Sequence, residues 1–163
     1  MKERLSFLFI GTDNDSDGLS EVLARVHLEA VRGRYKVGSQ ILCESNDLLP
    51  VEIILDFEPN VILAILPIEI KSMRSVHLIE ALDSNYGIFS KELLAHLQNL
   101  KIQLFWLAPL SWNLEILKGD EHWTLLRESV KDYLGYFPVV FSSEKPSGIL
   151  KKMIEAAEVI RTR

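Results

Sequence analysis

The sequence lacks the features that would point to an oxidising compartment or to a polyanionic partner. It has one cysteine, Cys43, so no disulfide can form within the chain, and this favours a reducing compartment. No apolar run is long enough to span a bilayer, and the run at residues 5–10 is too short for a signal-peptide core. The net charge is −5, with basic residues scattered among acids. We therefore predict a cytoplasmic protein that neither binds nucleic acid nor inserts into a membrane.

The length and composition favour one globular domain. The chain has 163 residues, of which 48% are hydrophobic, so a single well-packed core is feasible. No internal repeat, low-complexity tract or composition shift marks a linker. We predict one α/β domain over residues 1–163.

Continuous apolar runs alternate with segments of helical periodicity. The runs at residues 5–10 and 61–66 are typical of strands buried on both faces of a parallel sheet. The order predicts a three-layer α-β-α fold with a mostly parallel, doubly wound sheet. Residues 75–80 are interpreted as a short edge strand, which could run antiparallel, with a helix start as the alternative. Further strands are predicted at 37–43, 101–107 and 138–141, and helices at 19–33, 46–55, 90–100, 120–134 and 147–160.

An acidic loop follows the first predicted strand. Asp13, Asp15, Asp17 and Gly18 form the D-x-D-x-D-G opening of a calcium loop, in which alternate carboxylates can converge on a hard cation. The bidentate glutamate that an EF-hand requires is replaced by Ala24, so an EF-hand is not expected. A cation held in another setting is one interpretation. The favoured one is a solvated loop in which Asp15 or Asp17 caps the first helix.

No pattern of known catalytic residues is present. No histidine pair has the i, i+4 spacing of a zincin, and neither a nucleophile elbow nor a nucleotide fingerprint occurs. His96, near the start of a predicted helix with Glu92 one turn before it, is the histidine best placed to join a site. Cys43 is interpreted as a buried thiol and Trp106 as core. Trp112 is either a partner anchor or packed in its loop, and packing is favoured.

The order of elements over about residues 5–136 resembles the hydrogenase maturation endopeptidases, which trim the nickel-containing hydrogenase large subunit. The similar segments are the opening strand at 7–11, the acidic stretch at 15–19, the strand at 61–66, the helix start at Ser90 and the stretch at 104–111. The resemblance lies in pattern more than in identity. It implies a divergent protease-like protein that processes or assembles a hydrogenase large subunit, with or without peptidase activity.

The resemblance also implies a metal site that grips the nickel of the substrate. In the family an acid of the first loop, a strand aspartate and a helix histidine provide it. Of these only Asp17 carries over, because Ile65 and Glu92 stand at the other two positions. No catalytic residue is assigned. The expected ligands of nickel or another divalent cation are Asp17, Glu69, Glu92 and His96, with Asp13 and Asp15 as alternatives, and the expected partner is the hydrogenase large subunit.

An alternative interpretation is a catalytically inactive, receiver-like protein-interaction module. Acids after the first strand, the stretch at 58–67 and the late pair Lys145-Pro146 are similar to receiver landmarks. Ala64 and Ile65 stand at the place of the phospho-acceptor. The long span between Leu66 and the next ordinary strand favours the protease-like interpretation, because receiver connections are normally short.

Overall fold

The computed structural model describes residues 4–12, 18–42, 54, 56–65, 91–108, 128, 131–132 and 139–161. These residues contain five strands and three long helices. In chain order the elements are β1 (Ser6–Thr12), α1 (Leu19–Arg32), β2 (Lys36–Leu42), β3 (Val61–Ile65), α2 (Lys91–Asn99), β4 (Gln103–Ala108), β5 (Val139–Phe141) and α3 (Pro146–Arg161).

The five strands form one sheet in the order β2-β1-β3-β4-β5. Each neighbouring pair is parallel, and β1 lies between β2 and β3, with Phe7 opposite Val37 on one side and Val61 on the other. The predicted three-layer, doubly wound fold is confirmed. The described strands include no antiparallel pair, and the edge strand predicted at 75–80 lies outside the described residues.

The sheet is covered by helices on both faces, as the apolar runs predicted. α1 and α3 pack against each other over one face, whereas α2 packs against β4. All five residues of β3 are buried, because β3 lies between β1 and β4 with layers above and below it. The cluster under α1 and α3 contains Leu5, Phe7, Phe9, Leu19, Leu23, Val26, Ala30, Val61, Leu63, Ile65, Leu107, Val140, Ile149, Leu150, Met153 and Ala157.

Three turns that lead from a helix into a strand, at the amino-terminal edge of the sheet, each contain a residue in the left-handed backbone conformation. Arg34, Glu58 and Lys101 have φ of 62°, 53° and 57°, in the left-handed region. In each turn a backbone N–H group donates a hydrogen bond to a carbonyl of the preceding helical segment. This bond satisfies a carbonyl that has no partner within the helix at its carboxyl end. Tyr35 N donates to Ala30 O at 3.1 Å, Ile102 N to Leu97 O at 2.9 Å and Glu58 N to Ile54 O at 2.9 Å.

Asn60 joins β1 to β3 at the same edge. Its side-chain oxygen Oδ1 accepts hydrogen bonds from Ser6 N at 2.8 Å and from Ser6 Oγ at 3.1 Å. Ser6 Oγ is also 2.8 Å from Glu58 O, and Asn60 N donates to Ser6 O at 2.8 Å. Ser6 is the one buried polar residue among those described, so this network satisfies groups that water cannot reach.

Helix α1 begins at Leu19, as predicted. Its N-cap residue is Gly18, with φ 67°, and no side chain of the described residues forms a capping hydrogen bond. Asp15 and Asp17, the predicted caps, lie outside the described residues. The C-cap is Gly33, as the sequence indicated. In the described part of the chain, none of the helices has the length and hydropathy needed to cross a membrane.

Candidate functional site

Ligands of open α/β sheets bind beyond the carboxyl ends of the strands, at the point where the strand order reverses. In this sheet that point lies between β1 and β3, because the chain moves from β1 to β2 on one side and to β3 on the other. Gly11, near the end of β1, is buried, and a Cβ atom built on it would lie 3.4 Å from Leu23 Cδ2. The backbone of β1 is therefore close to α1 beside the crevice.

The carboxyl end of β3 is apolar. Ala64 is 1% exposed and Ile65 is 6% exposed, and Ile65 belongs to the core cluster beneath α1 and α3. Leu107, near the end of β4, is fully buried in the same cluster. Within the described residues, the ends of β1, β3 and β4 therefore carry no carboxylate that could accept a phosphoryl group or hold a cation.

The connection from β5 to α3 is the one strand-to-helix loop at this edge that is described in full. Ser143 and Lys145 are exposed, and Glu144 forms an ion pair with Lys152 in the second turn of α3. Lys145 O accepts a hydrogen bond from Ile149 N at 3.0 Å, which begins the helix. Lys145 is therefore exposed at the start of α3, at the same carboxyl edge of the sheet as the switch point.

Four of the predicted metal ligands lie outside the described residues: Asp13, Asp15, Asp17 and Glu69. A divalent cation in the acidic loop consequently remains a prediction.

The structure places the other two predicted ligands on α2. Glu92 is in the first turn, although its side chain is not among those described, and His96 is half-buried in the last turn. The sequence had suggested that His96 lies near the helix start. Because α2 precedes β4 and returns the chain to the amino-terminal edge, His96 lies away from the level of the strand tips. Among the described residues, no three histidine, cysteine, aspartate or glutamate side chains are grouped to hold a metal ion.

Two other predictions concern the tryptophans and Cys43. Trp106 is fully buried on β4, as predicted. Trp112, Trp123 and Cys43 lie outside the described residues.

The polar features that sequence reasoning missed are the Ser6–Asn60 network and the Glu144–Lys152 pair. No spacing of charged residues within α3 indicates a pairing with the preceding loop.

Comparisons with known proteins identify no family. No family model and no curated protein matches the sequence. Several solved structures are similar to this chain, and three of them are described below. The assignment of the fold rests on the strand order described above rather than on these structures. A pilus assembly-related protein from Burkholderia pseudomallei is 15% identical, with a TM-score of 0.49, covering 95% of this chain and 90% of its own.

The other two are flavodoxins. One, a cysteine-to-serine mutant of the flavodoxin from Pseudomonas aeruginosa, is 10% identical, with a TM-score of 0.43, and the match covers 96% of this chain and 99% of the flavodoxin. The second is a short-chain flavodoxin associated with a bacterial microcompartment. It is 12% identical, with a TM-score of 0.44 and coverage of 96% and 98%.

The predicted membership of the hydrogenase maturation endopeptidases is wrong. No family model supports it, and the similar structures named above are a pilus assembly-related protein and two flavodoxins, none of them a hydrogenase maturation protease. The resemblance depended on the order of strands and helices, which many doubly wound proteins share. The hydrogenase large subunit as partner, and the nickel of that substrate, lose their support together with the family.

Proposed function

We propose that this chain is a receiver-like protein-interaction module that does not accept a phosphoryl group. The observation that carries the proposal is the apolar, buried end of β3 in a parallel sheet of order β2-β1-β3-β4-β5. This strand order is shared by flavodoxins and receivers. In a receiver the acceptor carboxylate stands at the end of β3, where this chain has Ala64 and Ile65.

Two further features support the proposal. The exposed Lys145 precedes Pro146 at the start of α3, after the last strand of the sheet, as the receiver-like interpretation of this pair requires. The side chains of Ala64 and Ile65 contain only carbon and hydrogen, so neither can accept a phosphoryl group. The chain would therefore act by presenting a fixed surface to another protein, and the cytoplasmic location predicted from the sequence is retained within this proposal.

Phosphorylation is the first test. The purified chain is incubated with acetyl phosphate and Mg²⁺, and its intact mass is measured beside that of a competent receiver treated in the same way. We expect a phosphoryl adduct on the competent receiver and none on this chain. A hydroxylamine-sensitive phosphoryl adduct on an aspartate of this chain would contradict the proposal.

Flavin binding is the second test, because the strand order is equally that of the flavodoxins, which bind FMN at the switch point. Titration of the chain into FMN should leave the flavin fluorescence unchanged. Quenching that saturates at one flavin per chain would identify a flavin protein and would overturn the proposal.

Partner binding is the third test. It takes up the interpretation in which Trp112 anchors a protein partner. A partner obtained by cross-linking in cell extract is purified and titrated against the chain by calorimetry. We expect Trp112→Ala to raise Kd by about 30-fold, the effect of losing an aromatic hot spot of about 2 kcal/mol, and Trp112→Phe to retain most of the affinity. The absence of any saturable binding by a purified candidate would count against the module.

A further inference from the structure

The outer edge of β2 presents a row of backbone groups to solvent. Lys36 N donates to Leu5 O on the side of β1, at 3.1 Å. Since successive residues of a strand direct their backbone groups to opposite sides, Val37, Ser39 and Ile41 direct theirs outward. No described strand pairs with β2 on that side. This edge is seven residues long, compared with three residues for β5 at the other edge of the sheet.

The side chains of the same three residues lie on the face covered by α1. Val37 packs against the cluster beneath α1, whereas a Cβ atom built on Gly38 would approach the Phe57 ring on the opposite face. Ser39 is exposed, and Ile41 is 64% exposed, the most exposed large hydrophobic residue among those described. An apolar side chain therefore projects at the open edge, on the α1 side.

The flank of α1 above this edge is uncharged. Successive residues of a helix are rotated by about 100°, and a right-handed crossover from β1 to β2 turns one flank of α1 toward β2. That flank carries Ala24, Leu28 and Val31, which are all exposed, Leu28 and Val31 each by 48%. The charged side chains of α1 occupy the remaining exposed surface, at Glu21, Arg25, Glu29 and Arg32.

The edge of β2 is complementary to itself under a two-fold axis through Ser39. Antiparallel pairing about this axis places Val37 opposite Ile41 of a second copy, and Ser39 opposite Ser39, with about six backbone hydrogen bonds formed. Lys36, the only charged residue of β2, falls opposite Leu42, so the two like charges lie at opposite ends of the pairing.

The same axis brings the two α1 helices onto one face of the joined sheet. The β1 strands of the two copies are then about 14 Å apart, three strand spacings. The space between the α1 helices is wider than a direct helix contact, which is about 8–10 Å. In this arrangement the exposed side chains of Leu28, Val31 and Ile41 of both copies border this space.

We propose that a second copy of this chain pairs with β2 through its outer edge, giving a two-fold dimer with one continuous ten-stranded sheet in which the apolar flanks of α1 face each other across Ile41. The dimer removes from solvent both the open strand edge and the exposed apolar side chains beside it, the two features that usually mark an association surface. This proposal is independent of the receiver-like function.

Molar mass measures the dimer directly. Sedimentation equilibrium of the full chain over a concentration series should give a dimer in the micromolar range. Ile41→Lys places a cation beside Val37 of the other copy and should raise the dimer Kd by about tenfold or more. Leu100→Lys, at an exposed apolar residue beyond α2, is the matched control and should leave Kd unchanged. Far-UV circular dichroism verifies that each variant is folded.

A cysteine cross-link tests the register. Directly opposed residues in a hydrogen-bonded antiparallel pair have Cα atoms about 5.5 Å apart, within disulfide range. Ser39→Cys in a Cys43→Ser background should therefore form a covalent dimer on mild oxidation, and Arg32→Cys, on the charged flank of α1, should not. A chain that is monomeric at millimolar concentration, or equal cross-linking of both cysteine variants, would overturn the proposal.

Discussion

The two ends of β3 have opposite chemistry. At the amino-terminal end, Asn60 and Ser6 form a closed set of hydrogen bonds between β3 and β1. At the carboxyl end, Ala64 and Ile65 are buried among apolar side chains. Doubly wound proteins usually have functional polar groups at the carboxyl ends of their strands.

The difference indicates where this chain uses its buried polar groups. The Ser6–Asn60 network lies at the edge opposite to the switch point, where it can hold two strands in register but cannot contact a ligand at the crevice. Under the proposed receiver-like function, buried apolar residues occupy the position of the acceptor. The following experiments test the two ends of β3 separately.

The largest effect is expected when an acid is placed at the carboxyl end. Ile65→Asp replaces a side chain that is 6% exposed with a carboxylate lacking a designed partner, so we expect a loss of about 4 kcal/mol in the free energy of unfolding. Urea denaturation measures it. Ile65→Val, which removes one methylene, should cost about 1 kcal/mol. An Ile65→Asp variant as stable as the parent would show that this end still accommodates an acceptor.

A smaller loss is expected at the amino-terminal end. Asn60→Ala removes the acceptor of Ser6 N and Ser6 Oγ and leaves a part-buried N–H group unsatisfied. We expect destabilisation by about 2 kcal/mol, measured by thermal unfolding. Asn60→Asp keeps a side-chain oxygen at that place and should lose less. Equal losses for the two variants would mean that the network does not depend on this acceptor.

The turns at the same edge predict a gain in stability. Lys101 is exposed and has φ 57°, a conformation that costs a residue with a Cβ atom about 1 kcal/mol. Lys101→Gly should therefore raise the free energy of unfolding by about 0.5–1 kcal/mol, as measured in urea. Lys101→Ala retains the strain and serves as the control. An equal gain in the free energy of unfolding for Lys101→Ala and Lys101→Gly would show that backbone strain at this residue is not the cause.

The smallest effect is expected for the ion pair at the carboxyl edge. The side chains of Lys152 and Glu144 are 51% and 29% exposed, so solvent screens their attraction. Lys152→Met should change the free energy of unfolding by less than about 0.5 kcal/mol. The measurement is repeated at high salt, where the parent and the variant should become indistinguishable. If Lys152→Met lowers the free energy of unfolding as much as Asn60→Ala does, the polar contacts at the two edges of the sheet contribute equally to stability, contrary to this prediction.

Much of the fold followed from the sequence because buried parallel strands leave a strong signal. The apolar run at 61–66 predicted β3, and Gly33 predicted the end of α1. The observed end of β1 differs from the prediction at residue 10. The strand continues through Gly11 and Thr12, although these residues are not apolar, because they pair with Ile41 and Leu42 of β2. The order of the strands could not be derived from periodicity, since periodicity reports burial and not neighbours.

The candidate site was less predictable. Four of its six predicted ligands lie outside the described residues, and the position of a side chain in a site depends on tertiary contacts rather than on spacing along the chain. His96 illustrates the difficulty, because the same i, i+4 relation to Glu92 holds at either end of a helix, yet the structure places His96 in the last turn. The Asn60–Ser6 contact joins residues that are 54 positions apart, and no local pattern indicates it.

The packing of α1 on α3 has a consequence for synthesis of the protein. The first long helix is complete early, but the apolar surface it shares with the sheet is closed by Ile149, Met153 and Ala157 of the last helix. A nascent chain on the ribosome therefore carries a partly uncovered core until α3 emerges, and chaperones would find Phe7, Phe9 and Val26 incompletely shielded throughout that interval.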